Sequence, residues 1–560
     1  MASSENQAQP RSATTADILI DRLIEWNVDV IFGLIGDGVN PIIEAMRKRK
    51  DRIRFITVRH EEAAAFMASG YAKHTGRLGV CIATTGPGAV HLINGLYDAA
   101  MEQAPVLAIT GVINHDLLGT QYVQEIDTVK LFEDVTIYNQ LVTGPLHAQT
   151  VVDLACRAAL AVPGVAHLTM STDTQQQKIR DDKHSKKAGH LIGTPAYVPR
   201  TEVPSNEQLQ QAAALLNAGS KVMILAGRGA NGARAEVEQL AKKLNAPVAK
   251  ALLGKAVLPD DSPYTTGGIG HLGTLPSKQM MEDCDTLLIL GSNMPYLDYY
   301  PKEGQAKTIQ VDRDPTRIGL RHGIELGLVG DVRSTVAALL PLLNNNSDDG
   351  FLELARSRMD KWRKTLAGLE DAEAAPIKPQ FLVAQVARQL DIDAVVSIDT
   401  GAHTIFSARH WPIRSGQQLA VCGTLASMGP GLPYAIAAQL AYPKRQCVAF
   451  VGDGGFTMLM AEMATAVLYQ LPVKVIVFKN NSLSMDRFEQ EEMGNERYGD
   501  SLHPIDFVKV AEACGAEGYR CEDPRMLEAT LARAFASSAP AVIEVSVDPD
   551  EEPAPPEKLK

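Results

Sequence analysis

Residues 449–482 read AFVGDGGFTMLMAEMATAVLYQLPVKVIVFKNNS. One acid, Asp453, follows an apolar run, and a pair of amides, Asn480 and Asn481, follows the next. If the runs are parallel strands, both groups arrive at the carboxyl edge of the sheet, where open α/β folds bind ligands. Gly454 and Gly455 let a phosphate approach the backbone, and the following helix turns its free N–H groups toward it. A carboxylate, an amide oxygen and a backbone carbonyl leave half an octahedron open, which suits Mg2+ completed by phosphate oxygens and water. Either fragment alone reads as a turn or a helix cap. At a spacing of 27 from Asp453 to Asn480, the pair reads as a hard-cation diphosphate site.

The elements that must hold these groups belong to a long α/β chain. At 560 residues it exceeds one core, and with 45% apolar and 21% charged residues it has ordinary globular composition. A net charge of −12 argues against nucleic acid and against an anionic membrane as partner. Seven scattered cysteines without a C-x-x-C point to reduced thiols and a cytoplasmic location. No apolar stretch opens the chain as a secretory signal would, and none is long enough to span a bilayer.

Short β-branched runs alternate with helical stretches in three blocks, predicting three doubly wound parallel-sheet domains. The expected limits are a disordered start over 1–13, a first domain over 14–172, a linker over 173–203 and a central domain over 204–345. A linker helix over 346–376, a third domain over 377–548 and a tail over 549–560 complete the chain. The first and third blocks read as copies. Gly86 precedes Pro105 by 19 residues and Asp453 precedes Pro472 by 19, while Glu61 precedes Gly86 by 25 and Met428 precedes Asp453 by 25.

These residues resemble the thiamine-diphosphate signature of the enzyme superfamily that contains pyruvate oxidase, acetolactate synthase and pyruvate decarboxylase. The other half of the resemblance is VRHEEAAAFMASGYAKHTGRLGVCIATTGPGAVHLINGLYDA. By resemblance, Glu61 is the catalytic glutamate, Asp453 and Asn480 bind Mg2+ by side chain and Ser482 by its carbonyl, with Asn481 as ligand in the alternative register. Ser427, Met428, Gly454, Gly455, Asn481 and Leu483 are implied in cofactor binding, Met428 as the bulky residue that bends the cofactor. The chemistry of Glu61 has its own logic: the cofactor's amino group becomes basic only when an acid is hydrogen-bonded to its pyrimidine ring, and AAAFMASGYA supplies apolar surroundings for such an acid. Taken alone, His60-Glu61-Glu62 reads as a charged helix start.

The middle block contains AGRGANG and GIGHLG, each matching G-x-G-x-x-G, without the acid about twenty residues beyond the first that a dinucleotide ribose requires. The stretch from Asp261 to Pro301 and IQVDRDPTRIG resemble the flavin domain of bacterial pyruvate oxidases and pyruvate:quinone oxidoreductases. The resemblance implies FAD contacts from His271, Leu272, Gly273 and Thr274, from Ser292, Asn293, Met294, Pro295 and Tyr296, and from Asp312. Three positions depart from the family: Val123 beside the catalytic candidate Gln124, Ser484 in place of glycine, and Asp486 in place of an aliphatic residue. The tail EPAPPEKLK does not read as the membrane-binding helix of the quinone-linked members. The implied activity is thiamine-diphosphate-, Mg2+- and FAD-dependent oxidative decarboxylation of a 2-oxo acid, pyruvate first, to acetate or acetyl phosphate. An acetolactate synthase-like carboligase or a non-oxidative decarboxylase is the alternative, and the resemblance implies a homodimer or homotetramer.

Overall fold

A computed structural model of the chain describes residues 13–179, 193–199 and 201–559. The expected N-terminal segment, apart from residue 13, and residues 180–192 of the expected linker lie outside them. The chain divides into two compact units: the described residues up to Pro199 with Thr424–Pro443 and Leu459–Leu471, and those of Arg200–Gly423, Lys444–Met458 and Pro472–Lys560.

The first unit carries a six-stranded sheet of β1 (Val30–Gly33), β2 (Arg54–Thr57), β3 (Gly79–Ala83), β4 (Val106–Val112), β5 (Tyr138–Leu141) and β6 (Val165–Ser171). All pairs are parallel and the order is β2-β1-β3-β4-β6-β5. β3 and β4 read GVCIA and VLAITGV and are buried throughout, as expected where helices cover both faces. The helix Glu61–Thr75 is buried on nearly every side because AAAFMASGYA offers small side chains to several neighbours. One neighbour is the helix Gly431–Ala441, whose Tyr434 ring packs edge-on to Phe66 at 6.2 Å and whose hydroxyl accepts from Lys73 Nζ at 2.9 Å.

The second unit carries two sheets. β7 (Val222–Ala226), β8 (Val248–Lys250), β9 (Thr265–Gly268), β10 (Thr286–Leu290), β11 (Lys307–Asp312) and β12 (Leu326–Val329) run parallel in the order β9-β8-β7-β10-β11-β12. Numbered within the domain this is 3-2-1-4-5-6, the dinucleotide-binding order, with its switch point between β7 and β10. β13 (Val395–Ile398), β14 (Gln418–Val421), β15 (Cys447–Gly452), β16 (Lys474–Lys479), β17 (Glu517–Cys521) and β18 (Ala541–Ser546) form the third sheet, ordered β14-β13-β15-β16-β18-β17.

The first and third sheets therefore share one order, as the repeat in the sequence predicts. β3 stops at Ala83, short of Gly86, and Asp453 directly follows β15 and opens the next helix. The helix Gly350–Leu369 falls between the second and third sheets in sequence. Among the described residues no helix is long and apolar enough to cross a membrane.

Candidate active site

In the first unit the site is built around Glu61, the first residue of its helix. His60 caps that helix, its Nδ1 accepting the Glu62 N–H at 3.2 Å. The backbone just before Glu61 is held by Glu462, whose Oε1 accepts from the N–H groups of Arg59 at 2.8 Å and His60 at 3.1 Å. Its other oxygen accepts from the Thr465 hydroxyl at 2.7 Å, and burial raises its pKa.

Glu61 is 5% exposed. Its Oε2 lies 3.0 Å from His91 Nδ1, and a Cβ added at Gly88 would meet Oε1 at 3.0 Å. Two residues before Gly88, a Cβ at Gly86 would meet the Gln124 carbonyl at 2.8 Å, and Gln124 itself is left-handed at φ 64°. The turn Gly86-Pro87-Gly88 thus brings the Gln124 segment and the Glu61 carboxylate together.

On the other side, Asn94 Nδ2 donates to Glu62 Oε1 at 2.6 Å and to Ser427 Oγ at 2.9 Å, using both of its protons. Ser427 Oγ donates to the Met428 carbonyl at 3.0 Å. Ala426 and Gly429, at φ 57° and 104°, kink the chain on either side of this pair. Glu61, Gln124, Ser427 and Met428 are therefore joined by one run of contacts. His91, Asn94 and Glu462 belong to it too, and the sequence reading did not single them out. They lie on separate elements with no fixed spacing from Glu61, so only the fold reveals them.

In the second unit, Asp453 is 5% exposed and lies at the β15 edge, beside the end of β16. Its Oδ2 accepts the N–H groups of Asn480 at 3.1 Å and Asn481 at 2.6 Å, and its Oδ1 accepts that of Gly454 at 2.9 Å. Burial raises its pKa, and no Lys, Arg or His pairs with it among the described residues. A buried carboxylate held only by neutral donors is suited to a bound cation, so the donor set fits Mg2+.

Asn480 Oδ1 accepts from Ser482 N at 3.0 Å, and its Nδ2 donates to Ser484 Oγ at 3.1 Å, so the serine that departs from the family orients this amide. Ser482 Oγ donates to Asp500 at 2.7 Å, and Leu483 N donates to the Asp500 carbonyl at 2.8 Å. Asp486 is exposed, and the neighbouring Arg487 pairs with Asp550 at 2.9 Å.

Two further groups on this edge were missed in the sequence. Asp399 Oδ2 would lie 2.8 Å from a Cβ at Gly455, and His403 Nδ1 would lie 3.1 Å from one at Gly452. His403 is buried, its pKa pushed down to about 4 by desolvation, and its Nε2 has no partner among the described residues. A neutral imidazole with a spare nitrogen suits a phosphate oxygen.

At the switch point of the middle sheet, Gly227 N donates to the Leu290 carbonyl and Gly229 N to that of Gly291, at 2.9 and 3.0 Å. Side chains at these glycines would collide with Gly291 and Ser292, so the first G-x-G-x-x-G match closes the β7–β10 junction. Beyond it, Ser292 Oγ and Asn293 Oδ1 are buried without a partner among the described residues. Asn293 Nδ2 reaches Asp312 at 3.4 Å, and burial raises the Asp312 pKa.

The second match, at the end of β9, presents His271, whose ring meets that of Tyr296 edge-on at 4.7 Å. Arg409 ties this loop down, donating to the carbonyls of Gly273 at 3.0 Å, of Ala554 and of His271. Thr274 is committed to the protein: its hydroxyl donates to the Thr266 carbonyl at 2.6 Å and caps the helix Leu275–Asp283. Unpartnered polar atoms at a dinucleotide switch point fit a bound flavin dinucleotide.

Comparison with known proteins gives three family matches in chain order. They are the N-terminal TPP binding domain, the central domain and the C-terminal TPP binding domain of thiamine pyrophosphate enzymes, over residues 13–131, 209–339 and 399–545. The chain is 38% identical to the Bacillus subtilis protein named "Putative thiamine pyrophosphate-containing protein YdaP", covering 95% of this chain and 92% of that one. It is 32% identical to the pyruvate oxidase of Lactiplantibacillus plantarum, covering 97% and 90%. It is 31% identical to the Methanocaldococcus jannaschii protein named "Probable acetolactate synthase large subunit", covering 96% and 92%.

Proposed function

The chain belongs to the thiamine pyrophosphate enzymes, and from that premise we propose that it decarboxylates a 2-oxo acid, pyruvate first, and passes the electrons to FAD. The products are CO2 and acetate or acetyl phosphate. The observation that carries the redox half is the middle sheet: its strand order is that of dinucleotide-binding folds, and buried Ser292 Oγ and Asn293 Oδ1 lack protein partners where the order reverses. The 32% identity with a pyruvate oxidase over nearly the full length supports the substrate class.

Bound thiamine diphosphate supplies a carbon nucleophile and an electron sink for the carboxylate's departure, and FAD supplies a two-electron acceptor. The chain's own residues hold and tune them. Asp453, Asn480 and the Ser482 carbonyl would hold Mg2+, with Gly454 and Gly455 leaving the backbone open to the diphosphate. Met428 would support the bound cofactor, and Glu61 would keep a proton at its pyrimidine ring. Gln124 orients the substrate carbonyl. Seven unbridged cysteines support a cytoplasmic location, and the working form is a homodimer or homotetramer.

The acetolactate synthase-like reading is favoured by a relative of that name at 31% identity. One experiment separates the two: the visible spectrum of the protein with thiamine diphosphate, Mg2+ and FAD, anaerobic, before and after pyruvate. Bleaching of a bound flavin supports oxidation. A flavin that stays oxidised while a hydroxyketone accumulates supports carboligation, and a protein that takes up no flavin rejects the oxidase.

A further inference from the structure

His60, Glu61 and His91 bring their donor atoms within 4.8 Å of one another, and none of the chemistry above uses the two imidazoles. The obvious occupant of such a triad is a transition metal, but the geometry argues otherwise. The His60 and His91 rings stack with centroids 4.4 Å apart and planes 28° apart, so their in-plane lone pairs run side by side rather than converging. His60 Nδ1 is also occupied, accepting the Glu62 N–H, which puts the His60 proton on Nε2 and leaves that ring neutral.

We propose that His91 is a positioning residue for Glu61, donating its Nδ1–H to Oε2 and thereby fixing the acid's proton on Oε1. This rests on the reading of Glu61 as the group that protonates the cofactor's pyrimidine ring. The pairing works in both states of the acid. While Glu61 is protonated, Oε2 is its carbonyl oxygen and can only accept, so the single acidic proton stands on Oε1. Oε1 is the oxygen left room by Gly88, where a Cβ would stand 3.0 Å away.

When the Oε1–H bond breaks and its proton passes to the ring nitrogen, the electron pair stays on the carboxylate. The His91 hydrogen bond then becomes charge-assisted and stronger, while His91 keeps its own proton. The His60 ring, stacked over His91 and anchored by Glu62, holds the imidazole in the plane that allows this.

The test compares E61Q, H91L and H91N. Cofactor activation is read directly as exchange of the C2 hydrogen of bound thiamine diphosphate with D2O, and binding separately by calorimetry. H91L is expected to slow exchange about tenfold, the difference between a neutral and a charge-assisted hydrogen bond, with cofactor affinity changed less than about threefold. H91N, whose amide restores a donor near Nδ1, is expected to recover most of the rate. Unchanged exchange in H91L, or H91N as slow as H91L, overturns the proposal.

E61Q distinguishes the two layers. Unchanged exchange in E61Q overturns the reading of Glu61 and the proposal with it. Slow exchange in E61Q with normal exchange in H91L overturns the role of His91 alone. If H91L does not fold, the imidazole nitrogen shifts of His91 in the cofactor-free parent decide: a proton on Nδ1 supports the proposal, and a proton on Nε2 rejects it.

Discussion

Asn481 donates its backbone N–H to Asp453 Oδ2 at 2.6 Å while held in the left-handed region at φ 54°. Asparagine tolerates that conformation better than most residues, and here it lets two successive N–H groups, from Asn480 and Asn481, converge on one carboxylate oxygen. The pair of amides in KNNS thus serves two purposes: one residue offers an amide oxygen, the other turns the backbone.

The first prediction concerns the metal. Because Asp453 is buried without a cationic partner among the described residues, Asp453→Ala removes the charge a cation would neutralise, yet leaves the N–H groups of Asn480, Asn481 and Gly454 to seek water. Calorimetric affinity for thiamine diphosphate with Mg2+ is expected to fall by at least a hundredfold, about 3 kcal/mol. Chelation of Mg2+ should abolish binding in the parent to a similar degree and change nothing further in the variant. Tight, Mg2+-dependent binding by Asp453→Ala rejects Asp453 as the ligand.

The loop proposed to contact flavin gives the second. Arg409 is buried and spends its donors on the carbonyls of His271, Gly273 and Ala554, and burial pushes its pKa down to about 10. Replacing it with methionine fills the space but frees the loop and strands those carbonyls. Arg409→Met is expected to lose flavin on gel filtration while its affinity for thiamine diphosphate stays within about threefold, since sites without shared partners behave nearly independently. A variant that retains flavin as the parent does shows that the loop is fixed by other contacts.

Much of this was legible before the fold was known. Continuous apolar runs such as VMILA and KVIVFK announce strands covered on both faces, and the matched spacings around Gly86 and Asp453 announce two sheets of one order. The hidden part is the set of groups that meet only in three dimensions. His91 stands 30 residues from Glu61, and Glu462 reaches Arg59 across 403 residues. No periodicity links them. His403 escaped for another reason: a histidine in GAHT has nothing in its sequence neighbours to mark it as buried beside Gly452. At Thr274, one of the expected flavin contacts, the hydroxyl holds the turn and caps a helix, which its sequence neighbours do not announce.

Gly70 provides the third prediction, on stability. It sits in the helix Glu61–Thr75, and a Cβ there would come within 2.6 Å of Tyr434 Cδ1 and 3.1 Å of Tyr434 Cα. The ring has little freedom to yield, being fixed against Phe66 and bonded through its hydroxyl to Lys73 and Asp98. Helix propensity alone would favour alanine by about 1 kcal/mol. Overpacking against backbone costs about 1–3 kcal/mol, and the contact distances place this site at the upper end. Gly70→Ala is therefore expected to lower the denaturant midpoint. A midpoint equal to or above the parent's shows that the two helices can separate without loss.

The last prediction is a pH dependence. Desolvation pushes the pKa of His403 down to about 4 and that of His167 down to about 3. In each case the folded protein binds its proton less readily than the unfolded chain, whose histidines titrate near 6.5. Between the two values the unfolded state holds more protons, so stability rises with pH and is lost as pH falls from 6.5 toward 4. The range from 6.5 to 5 is where the unfolded chain's histidines take up their protons, and the His403 share is read as the difference between parent and variant. Each can contribute on the order of 2 kcal/mol of loss across that range. His403→Gln, measured without cofactors by urea unfolding at a series of pH values, is expected to flatten the slope while leaving the share of His167 and of the partly buried His147 and His322. An unchanged slope means that His403 takes up its proton in the folded state as easily as in water, which its closed surroundings beside Gly401 and Gly452 argue against.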